Sequence, residues 1–193
     1  MLFRSISAGE AHVSHPTQGL LDVLTIRTHK RRFAGLKVAI VGDIKHSRVA
    51  RSAHQALTTL GTTDLRLVAP EALLPAEGEF RGAARFTRIE DGIAGADVVM
   101  MLRIQKERMA QTASLDDAAY FRDFGLDAKR LKLAAPSVLV MHPGPMNRGV
   151  EIASDVADGP RSVIREQVNN GVAVRMSVLA SIAATLTRHR RPL

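Results

Sequence analysis

The 193-residue sequence contains no cysteine and no tryptophan, and aromatic residues make up only 4% of it. Without cysteine there is no disulfide scaffold, no cysteine-ligated zinc site and no cysteine nucleophile. The few aromatic side chains leave little with which to stack the bases of a nucleic acid strand. The longest mostly apolar stretch, residues 178–186, is far shorter than the ~20 residues that cross a bilayer, so we expect no membrane span. The N-terminus shows no apolar run of signal-peptide length, so we expect a cytoplasmic protein.

Positive charge exceeds negative charge, with 27 Lys and Arg against 19 Asp and Glu and a net charge of +8. Its two local clusters, residues 29–32 and 188–191, fall at the ends of predicted helices, where cations suit the helix dipole. The remaining charge is dispersed, which favours small anionic ligands over nucleic acid or a membrane surface as partners. The seven histidines show no carboxylate-supported ligand spacing, so no metal site is expected.

Predicted strands and helices alternate along the chain. Buried-type strands are predicted at residues 36–41, 65–68, 97–102 and 137–141, with a weaker one at 85–88. The main helices are predicted at residues 15–32, 47–60 and 162–188, the last with a break at Asn169-Asn170-Gly171. This alternation predicts an α/β fold, an open and mainly parallel sheet with helices on both faces.

In open parallel sheets, ligands bind beyond the carboxyl ends of the strands, at a switch point. Three segments occupy such positions, residues 42–48, 103–108 and 142–148, and all are rich in Arg, His, Asn or Gln. The first opens a helix, so helix N–H groups and Arg48 would hold a carboxylate or phosphate. It is not a dinucleotide fingerprint, because two of the three glycines are absent. The alternative is an ordinary loop with a solvated arginine.

Three further features suit an anionic or amide ligand. Arg103 and Gln105 alternate in extended backbone and would point the same way, unless they belong to a solvated charge run. His15 and Gln18 share a helix face near its positive end, where they would polarise a carbonyl and hold an amide. The alternative for His15 is a structural role at the helix start. Two prolines around a glycine at 143–145 would aim backbone carbonyls at a ligand, or simply make a rigid turn.

Taken together, these segments resemble the aspartate/ornithine carbamoyltransferase family, in its aspartate-specific branch. The motifs are His-Pro-Thr-Gln at 15–18, Lys-Val-Ala-Ile-Val-Gly-Asp at 37–43, His-Ser-Arg-Val-Ala-Arg-Ser at 46–52, Arg-Ile-Gln-Lys-Glu-Arg at 103–108, Tyr-Phe at 120–121 and His-Pro-Gly-Pro-Met-Asn-Arg-Gly-Val-Glu-Ile at 142–152. Ornithine-specific relatives usually carry His-Cys-Leu-Pro at the start of the last motif, which favours aspartate. The resemblance extends from about residue 6 to 186.

The resemblance implies transfer of a carbamoyl group from carbamoyl phosphate to L-aspartate in pyrimidine biosynthesis, with no metal and no cofactor. His15 would donate to the carbamoyl oxygen, and Gln18 would hold the carbamoyl amide. The aspartate carboxylates would be bound by Arg48, Arg103 and Gln105. The backbone at Pro143 and Gly144 would receive the carbamoyl NH₂ or the attacking amine.

One part of the family pattern has no counterpart, the carbamoyl-phosphate domain with its Ser-Thr-Arg-Thr-Arg loop. We therefore expect an incomplete, weakly active or inactive form, in a trimer-based homo-oligomer or with a partner chain that supplies the domain. The expected division is a remnant with a bridging helix at 1–34, an aspartate-binding domain at 35–160 and C-terminal bridging helices at 161–193. Apolar residues expected to lose their cover on the bridging helices are Leu20, Val23, Leu24, Met176, Leu179 and Ile182.

Two other hypotheses stay open at this point. One is a non-catalytic relative that serves as a binding or assembly module, although such a module would not need the full set of site residues. The other is an anion- or nucleic-acid-binding protein that uses the net charge of +8.

Overall fold

The computed structural model describes residues 13–104 and 116–189, with side chains as far as residue 185. Its centre is a five-stranded sheet in the order β3-β2-β1-β4-β5, in which every neighbouring pair is parallel. The strands are β1 Lys37–Val41, β2 Asp64–Val68, β3 Ala83–Phe86, β4 Val98–Met101 and β5 Leu139–Met141. The predicted α/β class and parallel sheet are confirmed.

The helices are α1 Pro16–Lys30, α2 Arg48–Thr59, α3 Ile89–Ile93, α4 Asp117–Phe124, α5 Ala128–Leu131, α6 Ser154–Ala157 and α7 Ile164–His189, with a 3₁₀ turn at Glu71–Leu73. Local sequence determines where several of these helices begin. Pro16 occupies the first turn of α1, where backbone N–H groups have no partner within the helix, so the N–H that proline lacks costs no hydrogen bond. Ser47 caps α2 by accepting a hydrogen bond from the Ala50 N–H at 3.0 Å.

The chain order places the switch point of the sheet between β1 and β4, from which the later strands are added in opposite directions. Both central strands are apolar apart from the exposed Lys37, and Val38 to Val41 and Val98 to Met101 are fully buried. At the carboxyl end of β1, Gly42 has φ +130°, and a Cβ there would lie 2.8 Å from the Leu102 carbonyl oxygen. Only glycine fits this close approach, which brings together the loops that follow β1 and β4.

Helices α1 and α7 pack against each other, and α7 runs without interruption from Ile164 to His189. The predicted break at Asn169-Asn170-Gly171 is therefore wrong. The Asn170 Nδ2 group donates to Thr25 Oγ1 of α1 at 2.9 Å, and Gly171 is buried against Leu21. Residues that favour a turn in isolation serve here as a polar contact and a close approach between helices, so tertiary packing overrides local propensity.

The outer side of this helix pair exposes apolar side chains. Leu20, Met176 and Leu179 are 47%, 65% and 58% exposed, as expected from the sequence. The other three residues expected there, Val23, Leu24 and Ile182, are half-buried. Despite this apolar surface, no helix in the described part of the chain has the length and apolar character of a membrane crossing.

Candidate active site

A cavity of about 270 Å³ lies beyond the carboxyl ends of β1, β4 and β5. Its lining residues are His15, Gln18, Ser47, Arg48, Val49, Leu102, Arg103, Pro143, Gly144 and Pro145. The fold therefore brings six predicted site residues, from four separate segments, into one cavity. The seventh, Gln105, lies outside the described residues.

His15 stands at the start of α1, close to α2. Its backbone N–H donates to Ser52 Oγ at 2.8 Å. Gly19, one turn along, lies so close to α2 that a Cβ would be 2.9 Å from the Ser52 carbonyl oxygen. Burial, followed by the positive charges of Arg48 and Arg175, lowers the pKa of His15. This lowered pKa favours the neutral imidazole, which has one ring N–H to donate.

Gln18 is buried, and its Nε2 group donates to Asp22 Oδ1 at 2.9 Å. This leaves the amide oxygen to accept a hydrogen bond from a ligand. Asp22 also accepts from Gln167 Nε2 of α7 at 2.8 Å, and Gln167 Oε1 in turn accepts from the His142 N–H at 3.0 Å. Burial raises the pKa of Asp22 to about 7, although the hydrogen bonds from Gln167 and Gln18 act in the opposite direction.

Two arginines line the cavity, one from the segment after β1 and one from the segment after β4. Arg48 is the first residue of α2, where the helix N-terminus adds partial positive charge, and Arg103 follows β4 by two residues. Arginine presents a planar set of donors that matches a carboxylate, and such charge-assisted pairs are stronger than neutral hydrogen bonds. The cavity therefore suits a small ligand with more than one carboxylate or phosphate group.

The turn after β5 presents acceptors. Pro143 has no N–H, and the Gly144 N–H is donated to His142 Nδ1 at 2.9 Å, so both residues have only carbonyl oxygens to offer a ligand. Because His142 Nδ1 accepts, the proton of this buried ring is on Nε2, which donates to Glu151 Oε1 at 3.3 Å. Glu151 also accepts from the Asn147 N–H, which holds the turn from its far side.

The described residues show no group of three or more His, Asp or Glu side chains placed to bind a metal ion. The described lining instead combines an imidazole, a carboxamide, two guanidinium side chains and the backbone of residues 143–145. Such groups orient a substrate and stabilise charge that develops on it.

The comparisons with known proteins agree with this geometry. A family model described as "Aspartate/ornithine carbamoyltransferase, Asp/Orn binding domain" matches residues 34–182. The chain belongs to this family. It is 59% identical to the aspartate carbamoyltransferase catalytic subunit of Xanthobacter autotrophicus over 181 residues, which cover 94% of this chain and 57% of the relative. For the same subunit of a Chelativorans species, the identity is 58% over 177 residues, covering 92% and 55%.

The carbamoyltransferase fold is also evident among solved structures. Aspartate transcarbamoylase from Trypanosoma cruzi, in complex with N-(phosphonacetyl)-L-aspartic acid, matches with a TM-score of 0.77 and 30% identity, covering 90% of this chain and 57% of that one. The family inferred from the sequence motifs is confirmed. The chain spans little more than half the length of the curated relatives that it matches.

Reasoning from the sequence missed several residues around the site, above all Asp22 and Gln167. Asp22 lies four residues after Gln18, so its place on the same helix face is visible from helical periodicity. No local signal could have found Gln167, which is 145 residues away from Asp22 in the chain.

Proposed function

We propose that this chain carries the aspartate-binding and carbamoyl-orienting part of an aspartate carbamoyltransferase. The reaction joins carbamoyl phosphate and L-aspartate to give N-carbamoyl-L-aspartate and phosphate, a step of pyrimidine biosynthesis. The observation that carries the proposal is the convergence of His15, Gln18, Arg48 and Arg103 in one cavity. The two relatives at 58–59% identity are both aspartate carbamoyltransferase catalytic subunits, which favours aspartate over ornithine.

In this proposal, His15 and Gln18 hold the carbamoyl group. The neutral imidazole of His15 donates its N–H to the carbamoyl oxygen, where negative charge develops as the amine attacks. Gln18 Oε1 accepts from the carbamoyl NH₂ group, because Gln18 Nε2 is already engaged with Asp22. The carbonyl groups of Pro143 and Gly144 accept from the carbamoyl NH₂ or the attacking amine.

The guanidinium groups of Arg48 and Arg103, together with Gln105, bind the aspartate carboxylates and aim its amine at the carbamoyl carbon. A C–N bond forms and the bond from that carbon to the phosphate oxygen breaks. Phosphate leaves with the electron pair and takes up the proton that the amine loses. No residue of the cavity forms a covalent intermediate in this scheme. The rate enhancement comes from orientation and charge stabilisation.

The charge balance of the cavity favours a second binding element for phosphate. Among the described lining residues, the two guanidinium groups match the two carboxylates of aspartate, whereas carbamoyl phosphate brings about two further negative charges. We infer that a carbamoyl-phosphate domain completes the site, and that the chain works in a trimer-based homo-oligomer or with a partner chain that supplies the domain. Residues 35–160 then form the aspartate-binding domain, flanked by bridging elements at 1–34 and 161–193, in a cytoplasmic enzyme.

The test is formation of carbamoyl-aspartate by the purified chain, with and without an added carbamoyl-phosphate domain. We expect little or no turnover alone, recovery on addition, and loss of the recovered turnover in Arg48→Ala. Arg148→Ala is the matched control, because Arg148 pairs with Asp158 at 2.7 Å outside the cavity. Turnover by the chain alone would contradict the inferred second element. Aspartate binding without turnover under both conditions would favour a non-catalytic binding module.

A further inference from the structure

Asp22 is a fully buried carboxyl group at the junction of two helices and the substrate cavity. It is 1% exposed and receives carboxamide hydrogen bonds from Gln18 on its own helix and from Gln167 on α7. Its second oxygen, Oδ2, has no hydrogen-bond partner among the described residues. Burying a carboxyl group costs free energy, and the packing of α1 against its neighbours does not require a carboxyl group at this position.

The two hydrogen bonds to Asp22 decide how both carboxamides are turned. A glutamine amide has a donor NH₂ on one side and an acceptor oxygen on the other, and the two sides have nearly the same shape. Because Asp22 accepts from both NH₂ groups, both amide oxygens face away from it. The Gln167 oxygen meets the His142 N–H at 3.0 Å, and the Gln18 oxygen is left for the cavity.

A reversed amide would be wrong at either position. Reversed Gln167 would set its NH₂ against the His142 N–H, a contact between two donors. Reversed Gln18 would set its NH₂ against the carbamoyl NH₂ of the proposed substrate. With an apolar residue at position 22, nothing would favour the productive orientation of either amide.

We propose that Asp22 is a positioning residue that orients the Gln18 amide toward the substrate and, through Gln167, fixes the backbone at His142 where the turn toward Pro143 and Gly144 begins. The part that concerns substrate rests on the function proposed above. The part that concerns amide orientation stands on the contacts alone.

Asparagine at position 22 should preserve this role. Its side-chain oxygen accepts both hydrogen bonds, and the charge is not required, since burial raises the pKa of Asp22 to about 7 and makes the neutral form accessible. Alanine removes both acceptors. Thr25→Val is the matched control, because Thr25 is equally buried and makes the neighbouring contact between α1 and α7, with Asn170, but does not line the cavity.

The first measurement is NMR of the full 193-residue chain, labelled with ¹⁵N, following hydrogen exchange of the Gln18 and Gln167 side-chain NH₂ groups and of the His142 N–H. We expect slow exchange in the wild type, Asp22→Asn and Thr25→Val, and at least a tenfold acceleration of all three in Asp22→Ala. Unchanged exchange in Asp22→Ala would overturn the proposal. If Asp22→Ala does not fold, Gln167→Leu replaces it. We then expect exchange of the His142 N–H to accelerate while the Gln18 side-chain amide stays protected. Unchanged exchange of the His142 N–H would overturn the proposal.

The second measurement is steady-state kinetics with the added carbamoyl-phosphate domain. We expect kcat to fall about 10- to 100-fold in Asp22→Ala, with KM for aspartate within about threefold, because the misplaced group holds the carbamoyl moiety. Asp22→Asn and Thr25→Val should stay within about threefold of the wild type. An equal loss of kcat in Thr25→Val would show that Asp22 acts only through the packing of α1 against α7. No turnover in the wild type would reject the proposed function, and the exchange data would still decide the orientation.

Discussion

Helix α1 borders two cavities of similar size and opposite chemistry. At its N-terminal end lies the candidate active-site cavity, about 270 Å³ and lined by imidazole, carboxamide and guanidinium side chains. Along its outer face runs an apolar groove against α7, about 330 Å³ and lined mainly by Leu, Val, Ala and Phe. The first cavity has polar groups held in set directions, so it distinguishes one small ligand from another. The groove has few directional groups, and only burial of its apolar surface would be stabilising.

The largest difference in ligand affinity between a substitution in the polar cavity and one in the apolar groove should come from Arg103→Ala. We expect affinity for N-phosphonacetyl-L-aspartate to fall about 100-fold, because losing a charge-assisted pair with a carboxylate costs up to about 3 kcal/mol. Leu24→Ala, in the groove, should leave the affinity within about twofold. Isothermal titration calorimetry on the chain with an added carbamoyl-phosphate domain measures both. Equal losses would mean that the groove is part of the ligand site.

The inner face of α1, between the two cavities, should give stability an unusual pH dependence. The pKa of Asp22 is raised to about 7 in the folded protein, against about 4 in an unfolded chain. The folded state therefore holds the extra proton between these values, and its free energy of unfolding falls as pH rises, by up to about 1.4 kcal/mol per pH unit. Urea unfolding from pH 4 to 7 should show this fall as the difference between the wild type and Asp22→Asn, because the other titrating groups contribute equally to both. Identical slopes would contradict the raised pKa.

The close approach between the loops that follow β1 and β4, beside the candidate active site, should depend on glycine. We expect Gly42→Ala to lower the free energy of unfolding by about 2–3 kcal/mol, because it adds a clash with the Leu102 carbonyl to the strain of a positive φ. Gly35→Ala is the control for strain alone, since φ is +76° and nothing lies within 4 Å of the added Cβ. A loss of about 1 kcal/mol is expected there. Equal losses at both positions would show that the contact between the loops contributes nothing.

The smallest effect on folding should come from the outer helix face. The double substitution Met176→Lys and Leu179→Lys should change the free energy of unfolding by no more than about 0.5 kcal/mol, because both side chains are mostly exposed. It should reduce self-association of the isolated chain, which we expect from the apolar surface. Size-exclusion chromatography over a range of concentrations measures this. A wild-type chain that stays monomeric at every concentration would contradict the expected self-association.

Much of the fold was predictable because strongly apolar segments such as Lys37–Val41 and Val98–Met101 leave little choice of structure. The cavity was predictable in outline for a related reason, since parallel strands deliver their following loops to one edge. The break predicted at Asn169-Asn170-Gly171 was wrong because the contacts of α7 with α1 outweigh the turn preference of those residues. Gln105 remains a prediction from its motif.

The sequence by itself determined the order of strands and helices, the family and which polar residues follow the central strands, because these depend on local pattern and motif. Only the tertiary structure decided that Asp22 and Gln167, 145 residues apart, share a hydrogen bond. It also decided that burial, followed by the nearby charges of Arg48 and Arg175, lowers the pKa of His15. Hydrogen bonds, burial and charge interactions depend on which residues are neighbours in the folded chain. The packing of the helices sets those neighbours, and the local sequence does not reveal how the helices pack.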